Sequence, residues 1–509
     1  MQQSFKNKWS RLVRGENGAS VALTAIVLAV AILFNVVLYL LDVSYGLYLF
    51  RPQEKTYEVS DSAAAFFEQA MRDGQRVQII FCRPEDSLTD HATGAFVLRT
   101  AKQMVEKYPD FLSIDYWNII TQRKADGSLV DFSPYTQNGA VKITRDSVIF
   151  ASGDRNRVVT DLYSSAGYAD FYALDASGNA VAFKGEEIMT GMITWVLTEH
   201  HPKAYLTTGH GETVEAGLYT MLSCAGYEVD LLDLRKKEVP ADAGLVIISA
   251  PGTDFESSKE DSAIRSEIAR LADYLARGGS LYVALDPYMK RLAMLEEFLS
   301  GYGISVSRIE GEGGVKNCNI LRDTRNAITT DGYTFVAGVN GETPLGVAVA
   351  ETLGQYDTGS VVISHAAALE LSKGATALLL SSRAAETFSS GERTGADGDY
   401  PVAAISEIAG TGEHLGKTGR VFMTASAFLA TSDSLNTAGY ANKDFLYALF
   451  DEFFDSQRPP YGTAILSVET AKLENLTMQT AKTYTFLILL VPALLAGVGV
   501  FVSLRRKNR

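Results

Sequence analysis

The chain has 509 residues, 47% of them hydrophobic, and a formal net charge of −14. That apolar fraction supports two or three ordinary cores and excludes a disordered chain, while the acid excess is poorly suited to nucleic acid or an anionic lipid surface. The three cysteines, Cys82, Cys224 and Cys318, lie far apart with no C-x-x-C pair, which excludes a thioredoxin-type redox centre and a zinc knuckle.

Residues 1–20 form a basic tail carrying Lys6, Lys8, Arg11 and Arg14. Residues 21–41 (VALTAIVLAVAILFNVVLYLL) carry no charge and predict a transmembrane helix, because a run of that length crosses a hydrocarbon core of about 30 Å. Residues 484–504 (YTFLILLVPALLAGVGVFVSL) read the same way, and the tail 505–509 is again basic. Basic flanks stay in the cytoplasm, so both termini are expected inside and the long acidic connection outside. The first span has no small-residue cleavage site after it and is expected to remain as a signal anchor.

A small α/β domain is expected over 52–185. Residues 61–74 predict a helix, 77–81 (VQIIF) a strand, about 94–107 a second helix, and 111–119 (FLSIDYWNI) an alternating strand. This β-α-β order predicts a three-layer, thioredoxin-like build; 121–183 show only weak strand and turn signals. A second domain is expected over 186–460. Residues 186–200 place Ile188, Met192 and Val196 on one helical face. Then follow a strand at 204–207, a helix through Leu218 and Leu222, strands at 227–234 and 244–252, a helix over 259–279, a strand at 280–286, and a helix marked by Leu292, Leu295 and Leu299. Alternation at this spacing predicts a doubly wound, mostly parallel sheet of flavodoxin or amidotransferase type. Residues 308–345 and 383–400 are rich in Gly, Ser, Thr and charge and are expected to be long loops or insertions. Strands resume near 376–382, 400–408 and 420–426, a last helix covers 442–454, and 461–483 link to the second span.

The strand at 204–207 ends in Gly209-His210-Gly211-Glu212. In a doubly wound sheet the loop after a strand lies on the ligand-binding rim. A His210–Glu212 hydrogen bond could orient an imidazole for proton transfer. A turn that merely starts a helix, with Glu212 favouring the helix dipole, uses the same residues without chemistry. Pro251 and Asp254, in the loop after the next buried strand, share that rim. These six residues are the candidate ligand or partner contacts; no catalytic, cofactor or metal residues are assigned. Ala250 and Pro251 stand where an amidotransferase-like fold would need its cysteine. The phosphate-loop look-alike at 410–420 (GTGEHLGKTGR) has Thr411 where the first glycine is required and precedes a strand, so it reads as a surface turn.

The stretches 183–212 (FKGEEIMTGMITWVLTEHHPKAYLTTGHGE), 239–287 and 419–450 resemble the auxiliary domain of ABC-2-type transport systems, including the gliding-motility-associated Gldg family. The resemblance covers roughly residues 50–455. It implies a plasma-membrane accessory protein with an extracytoplasmic body, acting beside a separate ATPase and a separate ABC-2 permease, without hydrolysing ATP itself. The function expected is therefore a non-enzymatic subunit that binds a substrate, an envelope component or the permease. An extracytoplasmic hydrolase or glycan-acting enzyme on the same fold, or a structural envelope protein, are the alternatives.

Overall fold

The computed structural model describes residues 61–89, 92–136, 141–159, 171–174, 180–256, 266–310, 316–356, 360–372, 374–410, 412–437, 440–453 and 466–467, all within one compact unit, Tyr57–Glu469. Both expected spans, both basic tails and most of the two linkers lie outside the described residues. No helix among the described residues is long and apolar enough to cross a membrane.

Alternation builds the first sheet. After helix α1 (Asp61–Arg72), strand β1 (Val77–Phe81) turns Val77, Ile79 and Phe81 to one core and Ile80 to another. Helix α2 (Ala92–Lys107) carries the chain back to β2 (Leu112–Asn118), parallel to β1. Strand β3 (Arg123–Lys124) edges β2, while β4 (Val148–Ser152) lies antiparallel to β1 and forms a hairpin with β5 (Arg155–Val159). The order is β3-β2-β1-β4-β5. Helix α3 (Gly185–Leu197) then covers β4 and β5.

The three-layer expectation for this sheet is corrected. Phe67 of α1, Val97 and Met104 of α2, and Ile188 and Met192 of α3 all join the core on the Ile79 face. The opposite face, with Ile80, Cys82 and Trp117, is covered by irregular chain through Phe132, Tyr135 and Ile143. Among the described residues no α-helix links β2 to β4, only a 3-10 turn at Ser133–Tyr135, so rings from turns and coil supply the apolar cover an α-helix would otherwise give.

The second sheet has eight strands. Strand β6 (Lys203–Thr207), helix α4 (Ala216–Cys224), β7 (Glu228–Leu232), β8 (Ala243–Ser249), helix α5 (Glu267–Ala276), β9 (Ser280–Ala284) and helix α6 (Ala293–Ser300) follow in succession. Later come β10 (Gly338–Val339), helix α7 (Pro344–Tyr356), β11 (Ala375–Leu380), β12 (Pro401–Ala409), β13 (Thr418–Thr424) and helix α8 (Asn442–Phe453). The order is β10-β11-β12-β13-β9-β8-β6-β7. Strands β7, β6, β8, β9 and β13 are parallel; β12, β11 and β10 continue antiparallel. Leu206, Ile247 and Tyr282 face α4, α7 and α8, whereas Tyr205, Val246 and Val283 face α5 and α6. Both faces are thus buried under helices, which is why these strands read as continuous apolar runs.

The long loops or insertions expected at 308–345 and 383–400 carry secondary structure of their own. Short antiparallel pairs form there: Arg308–Glu310 with Lys316–Cys318, Ile320–Asp323 with Ala385–Ser389, and Thr334–Val336 with Val362–Ser364. Strands of three to five residues are too short to leave a readable period. The Gly416-Lys417-Thr418 segment is a hairpin turn between β12 and β13, as expected.

Candidate functional site

Strand β6 feeds α4 on one face of the sheet, while its neighbour β8 feeds α5 on the other. Their carboxyl ends therefore part, and that topological switch point is where open α/β sheets hold ligands. The 209–212 turn leaves β6 there and the 250–254 loop leaves β8. Gly209 and Gly211 have φ of +115° and +79°, values that side chains resist. A Cβ on Gly209 would also meet the Arg235 guanidinium at 2.5 Å. The two loops are locked together: the Gly252 and Thr253 N–H groups donate to the His210 carbonyl at 2.8 and 3.0 Å.

This folding turns the His210 ring inward. Its Nδ1 lies 3.3 Å from Glu212 Oε1, its Nε2 lies 3.1 Å from Glu267 Oε2, and the ring stacks on Phe255 with centroids 4.1 Å apart. The His210, Glu212 and Glu267 side chains are only 4%, 1% and 4% exposed. Glu212 Oε2 also accepts from the His210 main-chain N–H at 2.7 Å. Burial pulls the imidazole pKa down, but the hydrogen bond with Glu212 and the charges of Glu267 and Glu212 outweigh it and hold the group above its ordinary value. Burial pushes Glu212 up, yet its bonds to His210 hold it below the usual carboxylate range.

The expected His210–Glu212 contact is present, but the other ring nitrogen is taken by Glu267. An imidazole held at both nitrogens has no lone pair to offer a substrate. Glu267 was missed from sequence: it lies 57 residues further on, and its only local sign is an acidic side chain in the first turn of α5, after the Ser266 cap that accepts from the Ala269 N–H. Glu267 Oε2 also accepts from the Glu256 N–H at 2.9 Å, while its buried Oε1 has no partner.

Across the crevice, Ala250 has φ of +47°, a conformation non-glycine residues seldom take. It occupies the strained turn at the end of β8 where a nucleophile would be displayed, and it carries a methyl group. Pro251 beside it is buried. The Asp254 carboxylate is committed to the start of α6, accepting from the Met294 and Leu295 N–H groups at 2.8 and 3.1 Å. The structure therefore brings the 209–212 turn and the 250–254 loop together, with Asp254 serving as a helix cap.

No protein-family model and no curated protein matches the chain. Among solved structures, the mmIFT52 N-terminal domain is 15% identical, with 50% of this chain and 98% of that one covered at a TM-score of 0.36. A ThuA-like protein from Bacteroides uniformis is 13% identical, with 52% and 98% covered at 0.31. A beta-galactosidase from Rahnella sp. R3 is 15% identical, with 58% and 38% covered at 0.29. Scores this low do not separate a shared fold from a shared alternation of strands and helices.

Proposed function

We propose that this chain is a membrane-anchored, extracytoplasmic auxiliary subunit of an ABC-2-type transport system, and that it binds rather than catalyses. Its spans would be 21–41 and 484–504, with the α/β body held outside the plasma membrane between them. The β-α-β unit followed by a hairpin and a helix matches the strand order of a thioredoxin-like sheet, with coil replacing the helix on one face. The parallel strands, in the order second-first-third-fourth-fifth, match a flavodoxin-like sheet.

The observation that carries the reading is the state of the switch-point crevice. Its strained turn presents Ala250, and its imidazole is saturated by two carboxylates. Such a crevice offers shape and charge for a ligand or for a permease loop, and its described residues present no nucleophile beside a free base. The test is affinity capture of the tagged full-length chain from mild detergent, followed by mass spectrometry. Recovery of a multi-span permease together with a separate ATPase is expected; recovery of neither overturns the proposal.

A further inference from the structure

The loop after β9, residues 287–291, forms one wall of a cavity of about 840 Å³, within the range of small-ligand sites. The short antiparallel pairs around 308–320 and 388–391, together with Tyr333, form its other walls. Met289, in its lining, also borders the switch-point crevice: a methyl placed on Gly252 would touch Met289 Cε at 3.7 Å.

Two features of the lining point to a ligand. The first is charge. Lys290, Arg291 and Arg308 line the cavity, and no Asp or Glu does among the described lining residues. Glu296 pairs with Arg308 at 2.7 Å and lies 3.8 Å from Arg291. A cationic recess in a chain of net charge −14 concentrates anions locally. The second is aromatic surface. Tyr288 is 64% exposed, and Phe388 lines the same cavity with the Arg322 guanidinium 5.7 Å from its ring centre.

We propose that this cavity binds an acidic saccharide, a sugar ring carrying a carboxylate or a phosphate. The anionic group would sit on Lys290 and Arg291 and the ring face on Tyr288 or Phe388. A nucleobase is a poorer fit, because the described lining residues include no carboxylate to read its edge and the Asn317 amide donates to Ser390 Oγ. The proposal goes beyond the transport reading: failure to capture a permease leaves it intact, and loss of saccharide binding leaves permease capture intact.

The test is calorimetric titration of the full-length chain in detergent at low salt with five probes: trigalacturonate, glucose 1-phosphate, maltotriose, inorganic phosphate and adenosine monophosphate. At least one acidic sugar is expected to bind at least tenfold tighter than both maltotriose and phosphate; which one does so tells carboxylate from phosphate. Lys290→Glu is expected to weaken that binding at least tenfold and Tyr288→Ala about fivefold, with thermal unfolding unchanged because both side chains are exposed. The proposal is overturned if neither acidic sugar outbinds maltotriose and phosphate, if adenosine monophosphate binds tightest, or if both variants bind as the parent does.

Discussion

Replacing Asp444 with Asn should stabilise the protein, and do so only above acidic pH. Helix α8 brings Lys443 and Tyr447 onto Glu187 of α3, at 2.5 and 2.9 Å. Asp444, beside them, is 8% exposed and its buried Oδ1 has no partner. Burial pushes its pKa from 3.8 up to about 7; Lys443 opposes this and Glu187 adds to it. The sign follows from linkage. Between pH 3.8 and about 7 the unfolded chain releases a proton that the folded chain keeps, so stability falls by about 1.4 kcal/mol per pH unit. The loss amounts to about 4 kcal/mol by pH 8. Asn keeps the shape without the charge, so Asp444→Asn should lie within about 1 kcal/mol of the parent near pH 4.5 and exceed it by about 2–4 kcal/mol at pH 8. Urea unfolding of the full-length chain in detergent, followed by tryptophan fluorescence at both pH values, measures this. An equal difference at the two pH values, or a less stable variant at pH 8, would refute the reasoning.

The His210 cluster makes a second pH prediction. The raised imidazole contributes stability that is fully present below 6.5 and is lost as pH rises through its higher folded value. Glu212 contributes above 4.5 and loses its contribution as pH falls below that. His210→Gln should therefore lower the unfolding free energy measured in urea more at pH 6 than at pH 9, by about 2–4 kcal/mol at the lower value because two buried carboxylates lose their cation; equal losses at both would contradict it. Gly191→Val should be severely destabilising, since a Cβ there meets the Cys224 backbone Cα at 2.7 Å and α3 must part from α4. A cost of about 2 kcal/mol or more is expected as a fall in the thermal midpoint, and an unchanged midpoint would show that the helices yield freely.

Helix α3 shows how much was legible locally and where that stopped. Its spacing of Ile188, Met192 and Val196 revealed both the helix and its apolar face. It was expected to open the second domain, whereas the structure buries that face in the first sheet's core and sets Gly191 against α4. The turn at 209–212 was likewise legible, because an apolar run ending in Gly-x-Gly marks a strand and a tight bend. The role of Asp254 was not, since a carboxylate's partner depends on where α6 starts 40 residues later.

The sequence by itself determined the elements of the α/β body, the alternation that makes the second sheet doubly wound, and the strand end on which His210 sits. These follow from backbone geometry and side-chain periods that act within some ten residues. Only the tertiary structure decided that Glu267 takes the second nitrogen of His210, that Lys443 reaches Glu187, and that Arg291 and Arg308 share Glu296 beside an open cavity. Those meetings depend on strand order and helix placement, which bring distant side chains within hydrogen-bond range and leave no periodic trace along the chain.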